Sequence, residues 1–281
     1  MKKGIFCVVT LFLTMMFAGF SNNTSIFTET VYAAVDDDFD DDFDEDDDDF
    51  EDEDDDDDEV FALPEIGTTI YDAESNAWYQ VIDIEDETAL LEYVKSNNAA
   101  ASAIEIPEYV EADDDIYEVT KVANNAFLNN KAITKVLIGD CVRSIGSNAF
   151  KGCSRLTTVT MGEDLQVIGT SAFEGCSKLK NLTFGESVST IGDKAFKKCV
   201  SLTKLTITKS ISKIGKQAFC GNKQLKNVTI QSTKYTAKTF GKQAFKDIHH
   251  KAVIKVPAKK LAAYRQILKN AGLAGKSQKV K

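Results

Sequence analysis

The pair Ala-Phe returns along this chain with its Phe at 127, 150, 173, 196, 219 and 245. Four successive gaps are 23 residues and the last is 26. A period of roughly 20–50 residues marks a chain built from stacked units, because one short unit cannot bury its own apolar face and must borrow a wall from its neighbours. Four windows align without gaps: CVRSIGSNAFKGCSRLTTVTM from Cys141, DLQVIGTSAFEGCSKLKNLTF from Asp164, SVSTIGDKAFKKCVSLTKLTI from Ser187 and SISKIGKQAFCGNKQLKNVTI from Ser210. Degenerate versions begin at Glu118 and Thr236, giving six coils.

The apolar positions of one coil predict how it stacks. In Leu179-x-x-Leu182-x-Phe184 the alternation is that of a short strand, with Leu182 and Phe184 on one face. Stacked coils lay these strands side by side as a parallel sheet, with an inward ladder of Val136, Val159, Leu182, Leu205, Val228 and Ile254. Pairs such as Val188 and Ile191 close the opposite wall. Gly146, Gly169, Gly192, Gly215 and Gly241 follow it, where a tight bend favours a residue without a side chain. The Phe of each pair fills the space between the walls. With ~5 large side chains per coil at ~2 kcal/mol each, burial gives about 10 kcal/mol per coil before chain entropy is subtracted.

Six cysteines are present. Cys153, Cys176 and Cys199 share one repeat position, where Asn130 and Asn222 also stand. A column of this kind predicts a small residue at a buried turn, using a weak S–H donor or an amide to satisfy a loop carbonyl. Asn and Cys are expected to be interchangeable there. Cys7 falls in the leader, leaving an odd five, which argues against a disulfide framework.

The flanks differ from the repeats. Residues 1–33 read as an export signal: Lys2 and Lys3, an apolar run from Ile5 to Phe20, and Val31-Tyr32-Ala33 as the cleavage site. The run is too short and too Thr-interrupted for a membrane span, so none is expected in the mature chain. Residues 34–62 form an acidic tether, with 21 acids between positions 36 and 59. Self-repulsion there exceeds any burial available to three Phe, so disorder is expected. Residues 63–117 alternate as short strands in a small β-rich N-terminal cap module with Trp78, Tyr79 and Val81 in its core. Residues 118–256 hold the repeats. Residues 257–281 hold a helix and tail: Pro257 near a helix start, Leu261, Tyr264 and Leu268 at helical spacing, and Gly272 at the end, which reads as a capping helix. The predicted fold is therefore a solenoid of six coils with a parallel sheet, a β-rich N-terminal cap and a C-terminal capping helix.

The spacing, the Ala-Phe pair and the Cys/Asn position together resemble the BspA-like class of bacterial leucine-rich repeats, over roughly residues 118–256. The cap module and terminal helix also look like pieces that flank such repeats in exported proteins of Gram-positive gut bacteria. The resemblance implies a curved leucine-rich-repeat solenoid, secreted or at the cell surface, with a binding or adhesive role; the sequence departs from the family in showing no surface-anchoring module.

Chemistry-bearing constellations are scarce. The only histidines, His249 and His250, are adjacent, and neighbours in an extended segment point apart. Neither a phosphate loop nor a zinc-ligand spacing is present, so no enzyme, metal or cofactor is expected. Charge is the stronger signal. The net charge of −11 conceals −35 over residues 34–120 and +23 over residues 121–281. This favours a binding module whose outward strand positions carry the contact: Lys135, Thr158, Thr160, Asn181, Thr183, Lys204, Thr206, Asn227 and Thr229, with Leu137 beside them. The expected partner is a protein or an anionic polymer or glycan. Export and the lack of aromatic interleaving speak against nucleic acid. A second class of reading is a self-associating structural protein whose acidic segment docks on the basic repeats, within one molecule or between two.

Overall fold

The computed structural model describes residues 63–281 apart from 87, 113, 114, 274 and 276. The export signal and the acidic tether lie outside the described residues. The chain opens with β1 (Thr69–Asp72), β2 (Ala77–Glu85), β3 (Thr88–Ser96), β4 (Ala103–Ile106), β5 (Tyr109–Ala112) and β6 (Asp115–Val122). β1 and β2, β2 and β3, and β5 and β6 pair antiparallel, whereas β3 and β6 pair parallel. Tyr79 and Val81 are buried here as the alternation predicts. Trp78 is not. It is half-buried on the outer face, 5.1 Å from the Tyr71 ring and beneath the Lys95 ammonium at 5.8 Å. The period of two decides this: Trp78 adjoins two inward residues, Ala77 and Tyr79, at a register shift between Trp78 and Tyr79.

From β6 onward the coils take over, most of them with two short strands. One wall carries β8 (Ser144–Ile145), β10 (Val167–Ile168), β11 (Thr190–Ile191) and β13 (Lys213–Ile214), between strands of the other wall: β7 (Lys135–Ile138), β9 (Thr158–Thr160), β12 (Lys204–Ile207), β14 (Asn227–Ile230) and β15 (Val253–Lys255). The first wall is continuous with the cap module in a nine-stranded sheet, β1-β2-β3-β6-β8-β10-β11-β13, with β5 beside β6. Sequence periodicity predicts this wall as an apolar pair. The structure adds a parallel ladder of two-residue strands along it.

The predicted ladder is buried at all six positions, from Val136 to Ile254. It gains a rung at each end, Ile104 on β4 and the half-buried Val280 on β16 (Lys279–Val280). The predicted C-terminal helix is present. Helix α1 (Leu261–Asn270) does bury Tyr264, Ile267 and Leu268, and Gly272 follows at φ +94. Yet the chain then continues into β16, parallel to β15, while Phe245 N–H donates to Ala271 O at 2.7 Å as Phe150 N–H does to Ala172 O. The helix thus covers the end of the core as one arm of a further turn. The Tyr264 hydroxyl donates to Ser232 O at 2.6 Å and seats it.

The six Phe stack face to face through the core. Ring centroids are 4.9–5.6 Å apart, with interplanar angles of 3–20°. Tyr93 extends the stack into the cap module at 5.2 Å from Phe127. Parallel rings at this separation are laterally offset, the arrangement that aromatic quadrupoles favour.

Candidate functional site

Each coil makes its turn through two residues in the left-handed region. One precedes the Ala-Phe pair (Asn125, Asn148, Ser171, Lys194, Gln217, Gln243) and one follows two residues after the Phe (Asn129, Gly152, Gly175, Lys198, Gly221, Asp247). These turns fix where each strand starts, and hence which side chains face out.

Every predicted contact residue does point outward. Lys135, Thr158, Thr160, Asn181, Thr183, Lys204, Thr206 and Asn227 are exposed and Thr229 is partly so. The backbone pairing that carries them is not continuous. β4, β7 and β9 make a three-stranded sheet; β12, β14, β15 and β16 make a four-stranded one. Among the described residues no ladder pairing joins residues 181–184 to either, so Asn181 and Thr183 lie in the interval. At this coil Phe184 takes the rung that Ile138, Ile207 and Ile230 fill elsewhere, and its ring stands edge-on to Phe196 at 5.7 Å.

The two sheets differ chemically. On the three-stranded one, Lys135 aligns with Ala103 and Thr158, and Leu137 aligns with Glu105 and Thr160. On the four-stranded one, Lys204 aligns with Asn227, Val253 and Lys279, while Thr206 aligns with Thr229 and Lys255. Among the described residues no Asp or Glu stands on these four strands. Lys255 and Lys279 escaped the sequence reading for separate reasons. Lys255 was legible as the outward neighbour of Ile254. Lys279 carried no signal, since a helix interrupts the 23-residue period before it.

Ion pairing sharpens the contrast. Lys121 bonds Glu92, Arg143 bonds Glu85 and Glu118, and Lys151 and Lys197 flank Glu174. Among the described residues Lys204, Lys255 and Lys279 have no such partner. Residues 187–281 carry 22 Lys and Arg against two acids, Asp193 and Asp247, whereas residues 121–186 carry eight against five. The positive charge that composition assigns to the whole repeat region therefore resides in its last coils.

The adjacent histidines depart from expectation. They sit at a turn, not in an extended segment, and their rings stack at 4.6 Å. His249 is held below its ordinary pKa by desolvation and by the positive groups of His250, Lys226 and Lys251. Among the described residues no three His, Cys, Asp or Glu come together as metal ligands would. No described helix is long and apolar enough to cross a membrane.

The three ladder cysteines are buried and unpaired, and each S–H donates to the Phe carbonyl 26 residues earlier: Cys153 to Phe127 O at 3.1 Å, Cys176 to Phe150 O at 3.2 Å, Cys199 to Phe173 O at 3.3 Å. Burial raises their pKa values, to about 11 for Cys153 and about 12 for Cys199, with Cys176 also pushed up. They are structural thiols, protonated at neutral pH. The expected equivalence of Asn fails at one end of the column. Asn130 accepts from Ala132 and Ile133 N–H, but neither amide atom of the fully buried Asn222 has a partner.

Residues 120–250 match the family described as BspA type leucine rich repeat region, in six copies. A search of curated proteins finds no match. Among solved structures the chain is similar to a leucine rich repeat protein of T. pallidum, at 21% identity and a TM-score of 0.55, covering 73% of this chain and 97% of that one. It is also similar to a leucine rich cell surface protein of Faecalibacterium prausnitzii A2-165, at 25% identity and a TM-score of 0.54 over 67% of this chain. It spans about half of that protein, 54% of its length. The repeats of this chain are thus similar, over residues 120–250, to the BspA type leucine rich repeat region.

Proposed function

We propose that this is a secreted or cell-surface binding protein. Its contact surface is the outward face of the four-stranded sheet, and its partner is an anionic polymer or the acidic surface of another protein. The observation that carries the reading is the juxtaposition of Lys204, Lys255 and Lys279 with Thr206, Asn227 and Thr229 on one face of four strands that carry no Asp or Glu. The ammonium groups supply attraction, and the hydroxyls and amide supply short-range hydrogen bonds between them. Lys135, Thr158 and Thr160 are secondary in this reading, because Glu105 and Leu137 interrupt their sheet. Asn181 and Thr183 fall between the two. Leucine-rich repeats built in this way present a surface to a partner and carry no catalytic constellation, so we assign no reaction.

The test is heparin affinity of the full chain with two triple variants. Reversing Lys204, Lys255 and Lys279 to Glu should weaken binding at least tenfold at low salt. Reversing Lys213, Lys238 and Lys242, which are exposed elsewhere on the same coils, should weaken it much less. Equal losses would mean that net charge alone is being read and that the sheet face has no special part.

A further inference from the structure

The charge of the described chain is graded along the stack of coils. Residues 63–120, which form the cap module, carry 15 acids and one base, Lys95. Residues 187–281, at the other end, carry 22 bases and two acids. A fold with opposite charge at its two ends repels a copy of itself end to like end, and attracts one head to tail.

Both ends also finish in edge strands. β4 is the last strand of the three-stranded sheet and β16 the last of the four-stranded one. Edge strands leave backbone donors and acceptors turned outward, and proteins discourage self-pairing there by placing charge beside them. Here the guarding charges differ in sign: exposed Glu105 on β4 and Glu111 on β5, exposed Lys279 on β16 and Lys255 on β15. Like ends are kept apart, while unlike ends are complementary. The acidic end also exposes Ile66, at 63%, and Ile116, at 56%.

We propose that the protein self-associates head to tail, the acidic cap module of one copy meeting the basic last coils of the next. The contact is heterologous, so it adds copies in an open row instead of closing a symmetric dimer. It differs from docking of the acidic tether, because the acidic partner is the folded cap module. It also competes with an anionic partner for Lys255 and Lys279.

The experiment is sedimentation velocity on the full chain across a concentration series, at about 0.01 M and 0.15 M salt, where the screening length falls from ~30 Å to ~8 Å. The weight-average sedimentation coefficient should climb with concentration at low salt and return towards the monomer value at high salt. Glu105→Lys with Glu111→Lys should abolish the climb, as should Lys255→Glu with Lys279→Glu. An equimolar mixture of the two double variants should restore association, since the unchanged basic coils of one copy then meet the unchanged acidic cap of the other. The quadruple variant, with both ends exchanged, should restore it. Circular dichroism on each variant separates loss of association from loss of fold. Two results would overturn the proposal: a monomer at low salt, or association that persists in the Glu105 and Glu111 variant, which would assign the contact to the acidic tether. Heparin affinity is read separately, so failure here leaves the binding face untouched.

Discussion

At the scale of single residues the thiol column sets the sharpest expectations. Asn222 stands where Cys153, Cys176 and Cys199 each complete a hydrogen bond, yet its amide is buried without a partner. Leaving a buried polar group unsatisfied costs ~1–3 kcal/mol. Asn222→Cys should therefore raise unfolding stability by about that amount, read as a shift in the urea midpoint at constant slope. Cys176→Asn should lower it comparably, and a neutral result for both would return the column to simple equivalence. The thiols also set a pH dependence. Their folded pKa values lie above the unfolded value of ~8.5, so the native state holds its protons longer. The sign follows: this contribution is fully present below pH ~8.5, and stability falls as the pH climbs toward 11 and 12. The steepest expected loss is ~1.4 kcal/mol per pH unit for each thiol. Denaturant melts at pH 8 and pH 10.5 on the chain and on a Cys153→Ala, Cys199→Ala variant measure it. The variant should lose less on going alkaline.

At the scale of the coil, glycines answer to two different constraints. The column that the sequence reading ascribes to a tight bend has no left-handed backbone. A Cβ on Gly192 would lie 2.6 Å from the Gly169 carbonyl carbon, and one on Gly241 would lie 2.0 Å from Gly215 O. It is the approach of the next coil, not the bend, that excludes a side chain. Gly175 is the reverse case, at φ +80 with the nearest atom 3.7 Å away. Gly192→Ala must push coils apart and should cost ~3 kcal/mol or more, beyond ordinary overpacking. Gly175→Ala should cost only the ~1–2 kcal/mol of a left-handed non-glycine residue, the conformation that Lys198 already adopts in the same column. Thermal melts of the pair rank them, and a reversed order would mean that bend geometry governs after all.

At the scale of the whole molecule, charge and stacking act together. Lys255 and Lys279 join Lys204 only because two further strands extend the ladder past the last Ala-Phe pair. The acidic run at residues 36–59 is a like-charged rival to any polyanion approaching that face. Removing it should tighten heparin binding at ~0.01 M salt, with the difference shrinking at 0.15 M as screening shortens. Equal affinities at low salt would leave the run as a spacer. The 23-residue period by itself determined the burial of the ladder, the Phe stack and the outward direction of the alternate strand residues, because side-chain alternation in a strand is a local property. It did not determine that the ladder pairing breaks at residues 181–184, since that depends on backbone pairing between coils. Nor did it reveal β16, whose partner β15 lies across a helix. Asn222 was ranked with Asn130, although only the packed coils decide which amide finds a donor or acceptor. What tertiary structure decided, in each case, was a contact between residues a coil or more apart, which no periodicity within one coil encodes.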